Sequence, residues 1–201
     1  MDEILPGIHH WTAFHEGIGQ HVSSYLVTAD GGTLIDPMLL EGGATRLDDR
    51  RLAQIVLTNR HHYRHSGDFA DRFGGPVRCE QSGLYEFDDG PAVEGFAFGD
   101  RLSEVITALE VDAICSEDTA LHIECGHGAL AFADGLIRGE DGELALVPDS
   151  LLGDDPAAVK RGLTKSFARL LERDFDTLLF AHAQPIVGGG KAALREFVEA
   201  M

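Results

Sequence analysis

Residues 54–67 read QIVLTNRHHYRHSG, and the fold and the candidate site both follow from this stretch. Residues 54–58 are short, β-branched and apolar, the pattern of a strand buried on both faces. Directly behind them come Asn59, Arg60, His61, His62, Tyr63, Arg64, His65, Ser66 and Gly67, the densest polar and titratable cluster in the chain. Loops at the carboxyl ends of buried strands are where layered α/β proteins place their sites. Imidazoles in such a loop ligate metals or move protons. A solvated polar loop that happens to contain His is the alternative, and the cluster alone does not choose.

Outward from this stretch, short apolar runs alternate with turn residues. Residues 22–28 and 33–35 are predicted strands around the turn Ala29–Gly32. A short helix is predicted over 66–73. Further strands are predicted at 76–79, 93–98, 119–123, 129–133 and 144–147, with 119–123 and 129–133 paired across a Gly-rich turn. Asp155 and Pro156 supply an N-cap and a first-turn proline. From there Val159, Leu163, Phe167, Leu170 and Leu171 share one face of a helix ending near Arg173. Residues 177–181 form a buried strand that ends at His182. Gly188–Gly190 opens a last helix with Leu194, Phe197, Val198 and Met201 on one face. The expected fold class is α/β (α+β layered), one domain spanning residues 1–201.

The composition narrows the function classes. The 201 residues carry 34 acidic and 16 basic side chains, a formal net charge of −18. A partner with a nucleic-acid backbone or an anionic membrane surface is therefore not expected, because both need clustered Lys and Arg. Hydrophobic residues at 44% and charged residues at 25% are ordinary globular values, so disorder is excluded. Cys79, Cys115 and Cys125 are few and not in CxxC spacing, which fits a reducing cytosol. The N-terminus MDEILPGIHHW has neither a basic n-region nor an apolar h-region. A cytoplasmic protein with a small-molecule substrate or ligand is expected. An exposed strand edge or the apolar last helix would support a homodimer, and the sequence does not decide this.

Two further candidates lie at strand ends. Asp134 closes the run Ala131-Phe132-Ala133, and His182 closes Thr177–Ala181. Each alone reads as a turn or structural residue; together with the 59–67 loop, all at carboxyl ends of apolar strands, they suggest one site. Of the other His among the chain's ten, those at 9, 10, 15 and 21 are expected at surface or hairpin positions, and His122 is expected to face solvent. Cys115 and Cys125 have no neighbouring basic motif that would favour a thiolate. The acidic stretches 140–143 and 149–155 read as solvated loop and helix-start charge.

Four blocks carry a resemblance. Tyr25-Leu26-Val27 with Leu34-Ile35-Asp36-Pro37, Val56-Leu57-Thr58, Phe132-Ala133-Asp134 and Leu179-Phe180-Ala181-His182 resemble, in order and approximate spacing, the metallo-β-lactamase fold superfamily. The resemblance covers nearly the whole chain and implies an αββα sandwich with the site at one edge of two sheets. It also implies a divalent metal, zinc by preference, and a hydrolytic activity.

The departures from the family pattern reduce that site. Registered on Thr58, the family's His-x-His-x-Asp-His loop becomes Asn59, His61, Tyr63 and Arg64, with His65 one residue later. The segment 113–122 resembles the family's Pro-Gly-His block, with Ile114 in place of a ligand; Gly126-His127-Gly128 is the other register. The ligand set implied is His61, Asp134 and His182, with His61 and His65 as candidate catalytic groups. Asn59, Arg60, His62, Tyr63 and Arg64 are expected to line the pocket. Tyr63 is a poor base and a poor zinc ligand, and Arg64 places a fixed positive charge where a ligand would sit. The resemblance thus implies a metal-dependent hydrolase with at most one metal. The competing reading is a metal-free binding or scaffold protein, in which Arg60, Arg64 and the His form a pocket for an anion, or Arg64 pairs with Asp134.

Overall fold

The computed structural model describes residues 1–40, 47, 51–111, 113–139 and 141–201. Strands β1 (Asp2–Leu5), β2 (Ile8–His15), β3 (Gln20–Val27), β4 (Thr33–Ile35), β5 (Gln54–Val56), β6 (Val77–Glu80) and β7 (Glu94–Phe96) form one sheet in that order. The first four strands are antiparallel neighbours, and β4 through β7 run parallel. Strands β8 (Ile106–Glu110), β9 (Thr119–Ile123), β10 (Ala129–Phe132), β13 (Thr177–Phe180) and β14 (Ile186–Val187) form a second sheet, ordered β14-β13-β10-β9-β8. A small ribbon pairs β11 (Ile137–Arg138) with β12 (Leu144–Ala145). Helix α1 (Ser66–Phe73) follows the β5 loop, while α2 (Pro156–Leu170) and α3 (Gly190–Ala200) flank β13 and β14 in the chain.

Side-chain alternation along the strands separates the layers. In the first sheet, Ile8, Tyr25, Val27, Ile35 and Val56 face the second sheet and meet Ile106, Ala108, Leu121, Ile123, Ala131 and Leu179. Their neighbours Trp11, Leu26, Leu34, Ile55 and Leu57 point the other way and bury Phe69 and Phe73 of α1. In the second sheet, Leu130, Phe132, Leu178 and Phe180 pack on Leu163, Phe167 and Leu170 of α2 and Leu194 of α3. Both sheets are thus buried on two faces, which is why their strands read as near-continuous apolar runs. The layers are helix, sheet, sheet, helix, as the resemblance implied. Helix α2 starts as expected: Asp155 accepts a hydrogen bond from the Ala158 N–H at 2.9 Å and Pro156 takes the first turn. Among the described residues no helix is long and apolar enough to cross a membrane.

Several expectations about single residues need correction. The N-terminal segment supplies two strands, and His10 is buried in β2 rather than at the surface. It stacks on Tyr25 and donates from Nε2 to Ser23 Oγ at 2.9 Å, while Ser23 Oγ–H donates to the Ala183 carbonyl. Burial pushes the His10 imidazole down to about 4, so it is neutral near pH 7. His122 does not face solvent: it is buried on β9 and bonds the Asp174 carbonyl at 2.8 Å. Of the stretch 140–143, Glu140 lies outside the described residues.

Tyr25 joins the two sheets through a polar pair inside the apolar layer. Its buried hydroxyl donates to the Phe180 carbonyl at 2.9 Å and accepts from the Phe180 N–H at 3.0 Å. Tyr25→Phe leaves both backbone groups unpaired in a dry environment and is expected to cost about 1–3 kcal/mol. The check is a lower urea midpoint at an unchanged m-value. The net charge of −18 makes a second prediction. Raising KCl from about 0.1 to 1 M shortens the screening length from about 10 to 3 Å and should raise the melting temperature.

Candidate metal centre

The parallel strands aim their carboxyl ends at one edge of the sandwich. Strand β4 ends at Asp36, β5 runs into Thr58 and the 59–67 loop, and β10 and β13 pair in register, Phe132 opposite Phe180. Two residues beyond that pair stand Asp134 and His182, so equal register alone brings them side by side. His182 Nε2 lies 3.1 Å from Asp134 Oδ1.

The third member comes from the loop, and it is His62. Asn59 Oδ1 accepts the His61 N–H at 2.9 Å and starts a 3-10 turn over Arg60–His62. Successive side chains in such a turn point about 120° apart. His61 therefore points to solvent while His62 is buried. His62 Nε2 is 3.2 Å from His182 Nε2 and 3.6 Å from Asp134 Oδ1. The structure thus unites Asp134 and His182 of the implied ligand set, with His62 where His61 was expected. Counted back from His65 instead of forward from Thr58, the His-x-His-x-Asp-His pattern falls on positions 60, 62, 64 and 65, and so on His62. The extra residue is absorbed by the turn that Asn59 caps.

Each member is held from behind. Asp36, buried and with a φ of 46°, receives Thr58 N–H at 2.8 Å, Thr58 Oγ1–H, and His62 Nδ1–H at 3.0 Å. A carboxylate only accepts, so the His62 proton on Nδ1 is fixed and Nε2 is presented to the site. Burial opposes a charge on His62, but the Asp36 carboxylate and the bonds to Asp134 and Asp36 outweigh it, and the imidazole is pushed up to about 9. Burial would likewise raise Asp134, but hydrogen bonds from His182 and His62 hold it well below the usual carboxylate range. Asn59 Nδ2–H donates to Asp134 Oδ2 at 3.3 Å and to Cys115 Sγ at 3.6 Å. Cys115 therefore stands next to the site, which places the 113–122 segment there, whereas His127 sits in the turn at the opposite end of β10. Burial pushes the Cys115 thiol up to about 12, away from nucleophilic use.

The remaining loop residues are occupied elsewhere. Arg64, at a φ of 45°, donates to the carbonyls of Ser23 at 2.7 Å, Asp36 at 2.8 Å and Ala181 at 3.2 Å. It ties the two sheets together beside His182 and makes no hydrogen bond to Asp134. Arg60 pairs with the buried Glu117 and lies over the Tyr85 ring. Both guanidinium groups that the competing reading assigned to an anion pocket are thus engaged with protein groups. Tyr63 packs on Phe87 in the α1-side core. His65 Nδ1 accepts the Leu39 N–H at 3.3 Å, away from the triad. The residues that sequence reasoning missed are Asp36, Ser23 and Gln20, whose side-chain amide lies 3.3 Å from His182 Nδ1. Asp36 carried a signal, an acidic residue closing an apolar strand before Pro37; Ser23 and Gln20 carried none.

The three donor atoms test the fit of a metal. Their separations are 3.1, 3.2 and 3.6 Å. Donors at 2.0–2.1 Å from a tetrahedral ion lie about 3.3–3.4 Å apart. Among the described residues this is the group of His, Cys, Asp or Glu that could hold an ion.

No family model and no curated protein matches the chain. Solved structures do. TTHA1623, in a di-iron-bound form, is 20% identical with a TM-score of 0.67, over 93% of this chain and 99% of its own. The subclass B3 metallo-β-lactamase BJP-1 of Bradyrhizobium japonicum is 14% identical with a TM-score of 0.66, over 99% and 90%. Rubredoxin oxygen:oxidoreductase from Desulfovibrio gigas is 16% identical with a TM-score of 0.67, over 98% and 60%. The fold is that of the metallo-β-lactamases. At these identities the likeness is one of fold, and one of these neighbours is a lactamase and another an oxidoreductase, so function rests on the site.

The Asp36–His62 pair makes a pH prediction for the metal-free protein. His62 is raised from 6.5 to about 9, so its stabilising contribution is complete below pH 6.5 and is lost as pH rises through about 9. Urea midpoints of the wild type and of His62→Gln should therefore differ most near pH 6 and converge above pH 9. A gap that stays constant from pH 6 to pH 10 contradicts this assignment.

Proposed function

We propose that the chain is a metal-dependent hydrolase with a mononuclear site. His62 Nε2, His182 Nε2 and Asp134 Oδ1 hold one divalent ion, and two His with one carboxylate are a donor set suited to zinc with a position left for water. The observation that supports this reading is the triangle of donor atoms, spaced at 3.1–3.6 Å. An ion bound there would polarise a small-molecule electrophile and acidify water. The protein's own residues do the rest. Asp36 keeps the Nδ1 proton on His62, Asn59 steadies Asp134, and Arg64 and Ser23 fix the backbone on both sides of His182. Among the described residues there is no donor set for a second metal, and the positive charge of Arg64 opposes a further cation.

A second reading has an observation of its own. With protons in place of an ion, Asp134 Oδ1 already has His182 Nε2 at 3.1 Å and His62 Nε2 at 3.6 Å as cationic or N–H neighbours. On that reading the fold is a metal-free binding protein.

Co²⁺ or Zn²⁺ titration of protein purified without an affinity tag separates the two. About one equivalent should bind to the wild type and less than about a tenth to His62→Ala or His182→Ala, while His61→Ala binds normally. Hydrolysis of esters, lactones, thioesters or phosphodiesters should vanish in the same two variants. Failure of the wild type to bind either ion, with no turnover, supports the metal-free reading.

A further inference from the structure

The two imidazoles of the triad are held from behind by different chemistry. His62 Nδ1 faces the Asp36 carboxylate, which can only accept. His182 Nδ1 faces the side-chain amide of Gln20 at 3.3 Å. Gln20 opens β3, paired with His15 across the β2–β3 hairpin, and is exposed. A primary amide carries a donor and an acceptor on one carbon, exchanged by a half-turn of its last torsion.

These facts define two states of the ring. With Asp134 Oδ1 at 3.1 Å, His182 without an ion donates from Nε2–H, and Nδ1 then accepts from the Gln20 NH₂. A ring that ligates through Nε2 carries its proton on Nδ1 and needs an acceptor there. Gln20 provides that acceptor by turning its amide over. Neither a carboxylate nor an ammonium can serve both states. We propose that Gln20 is a positioning residue that sets the tautomer of His182, and that its amide reverses when the site is loaded. The inference rests on the metal reading of the triad, but the tautomer can be read without any metal.

The test is long-range ¹H–¹⁵N correlation of the histidine rings, in metal-free protein and after Zn²⁺ addition, with chelator competition for affinity. In the wild type, His182 should be the Nε2–H tautomer without metal and the Nδ1–H tautomer with it. Gln20→Glu should give Nδ1–H already without metal and bind Zn²⁺ about 10–100-fold more tightly; Gln20→Leu should remove the preference and weaken binding by about tenfold. Ile18→Glu adds a charge to the same hairpin away from the ring and should leave the tautomer unchanged. The same His182 tautomer in wild type, Gln20→Glu and Gln20→Leu overturns the proposal. A wild type that takes up no Zn²⁺, while Gln20→Glu still moves the proton, upholds the role of Gln20 and overturns the metal reading.

Discussion

A buried carboxylate, Asp36, is the constraint around which the site is organised. It sits inside the first sheet with almost no exposure, where an unpaired charge would be costly. Every acceptor it offers is filled: Thr58 by backbone and side chain, His62 by its ring, and its own carbonyl by Ser24 Oγ–H and Arg64. Its left-handed backbone is tolerated because Asp visits that region at lower cost than most residues. Together these bonds fix where β4 ends, how the 59–67 loop leaves β5, and which nitrogen of His62 faces the site. Replacing Asp36 by an apolar residue would free the His62 tautomer and leave the Thr58 N–H without its acceptor.

The second organising element is the seam between the sheets. Ser23, Tyr25 and Arg64 each reach the backbone of residues 180–183. Ser23 contributes twice, with its N–H to the Ala181 carbonyl at 2.9 Å and its hydroxyl to the Ala183 carbonyl at 2.7 Å. His182 is therefore held between two anchored neighbours. The cost of placing polar groups in a dry layer is offset because each has a partner there. In this sense the seam is what gives the triad its spacing without an ion, since the backbones carrying His62 and His182 are joined through Arg64 and Asp36.

Much of this architecture was legible in the residues, and the rest was not for identifiable reasons. Strands 33–35 and 119–123 and helix 66–73 coincide with the observed elements, because each is an apolar run bounded by turn residues. The helix 156–170 ends before Arg173, where the chain turns into Phe175 and β13. Strand β2 was missed because three of its eight residues are His, which read as polar until His10 is seen neutral against Tyr25. At the site, Asp134 and His182 could be located because strand ends are marked by composition. The choice between His61 and His62 could not, because it depends on a one-residue shift taken up in the Arg60–His62 turn that Asn59 caps, and spacing measured from Thr58 is blind to it.

The fate of the two arginines shows why residue type alone misleads in such a loop. In sequence, Arg60 and Arg64 lie among imidazoles and suggest an anion site. In space, Arg60 neutralises the buried Glu117, and Arg64 donates only to backbone carbonyls. A guanidinium aimed at carbonyl groups works as a covalently tethered cation: it gathers β3 at Ser23 and the ends of β4 and β13 at one point without needing a carboxylate ligand. The same guanidinium, by joining the backbones at Asp36 and Ala181, brings the loop that carries His62 to the strand end that carries His182.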